Sequence, residues 1–185
     1  MSGGKLTGVS HFDSKAAVEE YIRSIDVPAT FFLPGFYMSN IPAGTLNNVS
    51  GVYNFSNPVP NNTPIPLFDS YRDTGKFVKA ILLNREKVLG KQIYGATDYY
   101  TPDRIIAEFQ AVKTQDGQGG AAIHIPDEDF KGILAIGNMS EKAREEMLQN
   151  MQLLYMFGYY GGASLKESLD VSGSSFMNPG VKTGC

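Results

Sequence analysis

Residues 28–35 read Pro28-Ala29-Thr30-Phe31-Phe32-Leu33-Pro34-Gly35, an apolar run set between two prolines and closed by a glycine. A short run that is apolar without alternation predicts a strand buried on both faces, as in a parallel sheet. The segment before it, residues 10–25, carries Phe12, Ala16, Val18, Ile22 and Ile25 as the expected buried positions of a helix. Ser10 stands three residues before Asp13, the pattern of a capping box at the helix start. A helix leading into a parallel strand is the second half of a βαβ unit, so an earlier strand must feed that helix. Nothing before residue 10 reads as that strand, and the chain is expected to begin in mid-motif.

Downstream, a loop rich in Asn, Pro and Gly is expected to run to about residue 50, followed by an alternating strand at Val52–Phe55 and a short apolar run at Ile65–Phe68. A helix is predicted over about 73–84, with Phe77, Val78, Ile81 and Leu82 on one face and Asp73-Thr74 at its start. Lys91–Ala96 reads as a strand, and Thr101-Pro102-Asp103 opens a helix with a hydroxyl at the N-cap and proline at the first helical position. Lys113–Gly120 is expected to be a flexible loop, Ala121–Ile125 a strand, and Pro126 to Asp129 the opening of a short helix. Ser140 is placed to cap a long helix to about Phe157, with Met147, Leu148, Met151, Leu154 and Tyr155 as core candidates. The fold class is α/β, and no internal repeat is visible.

Composition excludes several function classes. The 185 residues suit one domain, and 42% hydrophobic content with 21 Phe and Tyr supports a real core. A net charge of −3 gives no electrostatic reason to expect nucleic acid or an anionic membrane as partner. The sole cysteine is the final residue, Cys185, so neither an internal disulfide nor a cysteine metal cluster can form. His11 and His124 are over one hundred residues apart and no ligand-spaced cluster exists, so no metal is expected. No apolar run approaches a membrane span, and the N-terminus lacks a signal-peptide pattern. A cytoplasmic protein is expected, with the nucleus as a second compartment.

The candidate chemistry lies close to the opening stretch. His11 and Lys15, four residues apart at a helix start, share one face, where a titratable ring beside an ammonium can hold a carbonyl or a ribose hydroxyl. On spacing alone the plainer reading is a solvated pair on an exposed turn. Pro34-Gly35 closes a strand whose carboxyl end is where an open α/β sheet binds ligands. Phe36, Tyr37, Met38 and Asn40 follow, mixing apolar surface with polar handles; a ligand pocket and simple turn packing are equally good readings. A pyrophosphate requires a glycine turn between a strand and a helix. Gly3-Gly4 has no strand before it, and Gly117, Gly119 and Gly120 precede a strand, so both clusters read as ordinary loops. His124 reads as an outward strand residue, and the acidic run Asp127 to Asp129 as a helix start suited to the dipole.

Several of these stretches, taken together and in order, resemble the NmrA-like proteins, atypical members of the short-chain dehydrogenase/reductase superfamily. They are His11 to Lys15 through Glu19 to Arg23, Phe32 to Met38, Arg72 to Val78, and Ile125 to Phe130, with similarity from about residue 3 to 171. The resemblance implies the C-terminal portion of an NAD(P)-binding Rossmann fold with its small substrate-side subdomain, the first βαβ units missing. It implies NADP as the cofactor of intact relatives. Lys15 matches the superfamily lysine that holds the nicotinamide ribose, and His11 stands where the catalytic Tyr is expected. Pro34-Gly35 matches the turn beside the nicotinamide, with Tyr37 and Asn40 in the loop lining that pocket. The catalytic candidates are therefore His11 and Lys15, and the cofactor-binding candidates Lys15, Pro34, Gly35, Tyr37 and Asn40.

The chain lacks the family's glycine-rich loop, and in place of a Trp-containing segment past Leu169 it ends in a small polar stretch, 172–185, expected to be a disordered tail. The leading expectation is a truncated relative of NADP-binding, redox-sensing regulators, not catalytic alone and with doubtful dinucleotide binding. The alternatives are a reductase of small carbonyl or quinone substrates with His11 as proton donor, and a fragment that binds a protein partner.

Overall fold

Phe31–Pro34 forms strand β1, and its pairing is one-sided. In the computed structural model, which describes residues 3–41, 45–113 and 118–172, β1 pairs in parallel with β6 (Gln92–Gly95) and with no other strand. All four of its residues are half-buried, so the expected strand exists but is not covered on both faces. The preceding helix α1 (Ser10–Ser24) forms as predicted, yet none of its residues is buried. Phe12 and Ile22 are half-buried, whereas Ala16, Val18 and Ile25, the last just past the helix end, are exposed. The helical spacing was read correctly, but among the described residues nothing buries those three positions. Its start also differs from the capping-box reading, because Val9 is the N-cap and no side chain caps the helix.

A second sheet runs through the centre. Phe36–Tyr37 (β2) pairs in parallel with Ile65–Phe68 (β5), which pairs antiparallel with Asp98–Tyr100 (β7). All four residues of β5 are buried, the continuous apolar run of a fully covered strand. The third sheet joins Leu46–Val49 (β3), Val52–Asn57 (β4) and Ala122–His124 (β8). β3 and β4 form an antiparallel hairpin through Ser50-Gly51, both at positive φ; β4 is the strand expected at Val52–Phe55, while β3 lies in a stretch that the sequence suggested was loop. β7 is a further strand that the sequence reading did not separate from its surroundings.

Helices fill the spaces between the sheets. They are α2 (Thr74–Leu83), α3 (Arg85–Val88), α4 (Pro102–Val112), α5 (Asp127–Ile136), α6 (Glu141–Phe157) and α7 (Lys166–Ser172). The Thr101 side chain accepts from the Arg104 amide at 3.1 Å and Ser140 from the Ala143 amide at 3.3 Å, so both predicted caps form. Asp73 occupies the N-cap of α2 but does not cap it; its carboxylate pairs with Lys76 at 2.7 Å. α7 had no sequence forecast, and the disordered tail expected over 172–185 lies, beyond Ser172, outside the described residues.

Three apolar clusters hold these elements. Phe55, Val59, Ile65, Leu67, Ile105, Ile106 and Leu154 join β4, β5, α4 and α6. Phe68, Phe77, Val88 and Ile93 join β5 to α2, α3 and β6, while Ala96, Tyr160 and Leu165 form the third. Each fully buried Phe or Leu in such a cluster contributes about 1.5–3 kcal/mol relative to an exposed one. In α6, Leu148 and Leu154 are buried as expected and Leu153 joins them, while Tyr155 is exposed. In α2, Phe77 is buried but Val78 and Leu82 are exposed.

Candidate functional site

The carboxyl end of β1 and the first turn of α1 meet through a residue that the sequence did not single out. The Tyr159 ring lies edge-on to Phe12, with centroids 5.5 Å apart, and its hydroxyl donates to the Pro34 carbonyl at 3.4 Å. Tyr160, beside it, donates to the Leu33 carbonyl at 2.9 Å. Both phenols are drawn into the fold by a tight turn after α6, where Gly158, Gly161 and Gly162 all take positive φ. A Cβ on Gly158 would approach the Gly162 nitrogen to 2.9 Å, so the turn closes only with glycine. The readable signal was the Gly158-Tyr159-Tyr160-Gly161-Gly162 pattern, two aromatics bracketed by glycines after a long helix.

Burial pushes the Tyr159 phenol up to about 12, with the neighbouring Tyr37 adding to the rise. The Tyr160 phenol is raised further, again chiefly by burial and then by Tyr159, Tyr99 and Tyr94. Both stay protonated near neutral pH and act as hydrogen-bond donors to the strand end.

The predicted site residues are partly gathered here. Pro34 is half-buried at the end of β1, and Gly35 is fully buried just beyond it. The Gly35 amide donates to the Gly95 carbonyl at 2.9 Å, and the space a Cβ would take is filled by the Pro66 and Gly95 carbonyls and the Tyr160 hydroxyl. Tyr37 is exposed in β2, with its ring 6.1 Å from that of Phe68. Asn40 is exposed beyond it. His11 and Lys15 both lie on the exposed surface of α1, with the His11 ring edge-on to Phe12 at 5.6 Å and its backbone amide bonded to Glu146. Thus Phe12 and Tyr159 link the His11 turn to Pro34. Among the described residues neither Lys15 nor Asn40 bonds to the others.

Of the residues that the resemblance assigns to a nicotinamide ribose, Pro34 ends β1, Tyr37 lies in β2 and Asn40 is exposed beyond it, while Lys15 is exposed on α1. No described strand leads through a glycine turn into a helix to receive a pyrophosphate. Gly119 and Gly120 precede β8, and a Cβ at Gly120 would collide with the Tyr53 carbonyl, so that glycine serves strand packing. Gly3 and Gly4 follow no described strand, and Gly117 lies outside the described residues. The dinucleotide therefore does not fit as a firmly held group.

His124 is exposed in β8, and Asp127 accepts from Gln152 at 2.9 Å. Among the described residues no group of three or more His, Cys, Asp or Glu side chains could hold a metal, and no helix is long and apolar enough to cross a membrane. Two surface depressions, about 370 Å³ beside Tyr99 and Lys166 and about 590 Å³ between α5 and α6, include none of the predicted site residues.

Comparison with solved structures agrees with this architecture. The structure of NmrA, a negative transcriptional regulator in complex with NADP, superposes with a TM-score of 0.65 at 18% identity, over 86% of this chain and 52% of its own. Its complex with NAD gives 0.64 at 18% identity, over 85% and 51%. A nucleoside-diphosphate-sugar epimerase from Staphylococcus aureus gives 0.54 at 14% identity, over 87% and 50%. The chain thus spans about half the length of these proteins, and the likeness shows a shared fold. No curated protein matches it. The sequence matches the NmrA-like family over residues 1–180, and the chain belongs to that family.

Proposed function

We propose that this chain is a regulator-type NmrA-like protein that contributes the substrate side of a dinucleotide fold and does not act as an oxidoreductase alone. The observation that carries this reading is the use of the phenols at the strand end. Tyr159 and Tyr160 both spend their hydroxyls on β1 carbonyls, and burial holds them protonated. By the resemblance, His11 stands where the superfamily's catalytic phenol is expected, and it is an exposed imidazole on the first turn of α1. An acid of that kind is neither buried nor oriented by a partner, as a poised proton donor requires. NmrA, a negative transcriptional regulator solved with NADP and with NAD, shares the fold and supports a dinucleotide-linked regulatory role. Redox sensing by this chain would then depend on a pyrophosphate cradle that the described residues do not provide.

Each hydrogen bond to a charged phosphate is worth about 1.5–3 kcal/mol, so a missing cradle removes several kcal/mol of dinucleotide affinity. Calorimetric titration of the purified chain with NADPH is expected to give no saturable binding in the micromolar range. Low-micromolar binding, or NADPH oxidation that His11→Ala abolishes, would overturn the reading in favour of a reductase of small carbonyl or quinone substrates.

A further inference from the structure

α5 and α6 face each other across a depression of about 590 Å³. Its walls are charged almost throughout, with Glu128 and Lys131 from α5 and Glu141, Lys142, Arg144 and Glu145 from α6. Gly132 completes the α5 wall, and a Cβ built there would meet nothing within 4 Å, so that wall stands open. None of these residues belongs to the strand end, and the inference drawn from them stands apart from the regulatory reading.

Most of the charged groups already have partners. Lys131 holds Glu128 at 2.7 Å and stands 3.8 Å from one oxygen of Glu145. The other Glu145 oxygen accepts from the Gln149 side chain at 2.9 Å. Glu141 and Lys142 are exposed, where water serves them. Arg144 is the exception. It is half-buried, and its Nε–H is buried without an acceptor among the described residues. Glu141 stands three positions before it, the spacing at which Glu128 and Lys131 pair on α5, yet no ion pair forms between them.

The chemistry of the guanidinium says what would satisfy it. It carries donors only, in a planar fork that matches the two oxygens of one carboxylate or phosphate. A buried donor without an acceptor is unfavourable, whereas one bonded to an ionised oxygen is strongly held. The lining carries three cations and three carboxylates, so its charge sums to zero. Such a wall gives no general field to hold a polyanion, and its three glutamates repel a phosphate dianion more than a single carboxylate. We propose that the depression between α5 and α6 is a binding site for a small carboxylate ligand, held through the fork of Arg144.

Nuclear magnetic resonance of the full chain tests this, with acetate as the probe and ionic strength held constant with sodium chloride. The Arg144 Nε–H resonance and the Gly132 amide are the two reporters. Both are expected to shift saturably with acetate, and inorganic phosphate is expected to bind more weakly. Arg144→Lys keeps the charge and loses the fork, so the Gly132 response is expected to weaken about tenfold or more. Gly132→Leu leaves the guanidinium in place and fills the open wall, and it is expected to abolish the Arg144 response. Lys79→Ala, which removes an exposed cation on α2, is expected to change neither. An Arg144 resonance that moves no more with acetate than with chloride would overturn the proposal. Tighter binding of phosphate than of acetate would overturn the carboxylate assignment, and an unchanged response in Gly132→Leu would place the anion elsewhere.

Discussion

The Tyr160 hydroxyl donates to the Leu33 carbonyl at 2.9 Å, tying the glycine-bracketed turn after α6 to β1 across 127 positions of sequence. Its ring also lies 4.5 Å from that of Tyr94 in β6, so one side chain joins both strands of the parallel pair. Tyr160→Phe keeps the ring contacts and removes only the hydrogen bond. A loss of about 1 kcal/mol is expected, read as a lower urea midpoint at unchanged slope. An unchanged midpoint would mean that the carbonyl finds an equivalent donor in water.

The same phenols set the alkaline limit of the fold. Burial raises the Tyr159 phenol from 10.0 to about 12 and raises Tyr160 as well. Above the ordinary phenol value the unfolded chain releases these protons first, while the folded chain retains them. The folded state then binds more protons, and stability falls as pH rises. The contribution is complete below pH 10 and is lost for Tyr159 between 10 and about 12. Urea midpoints measured from pH 9 upward are expected to drop through that window. In the Tyr159→Phe, Tyr160→Phe double variant the drop is expected to be shallower but still present, because burial raises Tyr99 and Tyr100 too.

Gly35 tests what the turn at the strand end is for. An added Cβ would meet the Pro66 carbonyl of β5 and the Tyr160 hydroxyl, so Gly35→Ala forces two strands apart in a packed region. Overpacking of this kind costs about 1–3 kcal/mol. The loss is expected with no dinucleotide present, measured by thermal unfolding of the chain alone. A variant as stable as the parent would mean that the close approach is not maintained in solution.

These positions also show what the sequence could reveal. Pro34-Gly35 was legible as a turn closing a strand, and helical periodicity correctly marked α1, α4 and α6. What packs against a turn or a stripe is a tertiary property, invisible to local pattern. Thus Gly35 read equally well as a ligand-side turn or as packing, and β5 fills the space beside it, while Val18 and Ile25 looked buried although the described fold leaves them open. Tyr159 was missed because its partners, Phe12 and Pro34, lie 147 and 125 positions away. The short strands β3 and β7 were missed because runs of three or four residues carry too little alternation to stand out.

Ser168 is the one described polar side chain guarding the outer edge of β6, and it is 1% exposed. Ser168→Ala leaves the Tyr94 amide without its acceptor while changing little volume. Leaving a buried donor unpaired costs about 1–3 kcal/mol, so unfolding should shift by that amount, and the Tyr94 amide should exchange faster. Fast exchange with no loss of stability would indicate that water replaces the hydroxyl.

Truncation of two apolar side chains distinguishes the covered from the uncovered part of the molecule. Leu154 is 2% exposed within the cluster joining β4, β5, α4 and α6, and Leu154→Ala is expected to cost about 2–5 kcal/mol through lost burial and the cavity left behind. Ile25 is 50% exposed at the end of α1, and the Ile25→Ala change in the chain alone is expected to stay within about 0.5 kcal/mol. The two residues are comparable in size and hydrophobicity, so the contrast comes from what surrounds them. A core-sized loss at Ile25 would mean that α1 is covered in solution by something other than the described fold, a second copy of the chain being the first to examine by light scattering. A small loss at Ile25 together with a core-sized loss at Leu154 leaves α1 as a helix with an open apolar stripe, held to the fold by Glu19 and Arg23 through Gln92 and the Gly90 carbonyl.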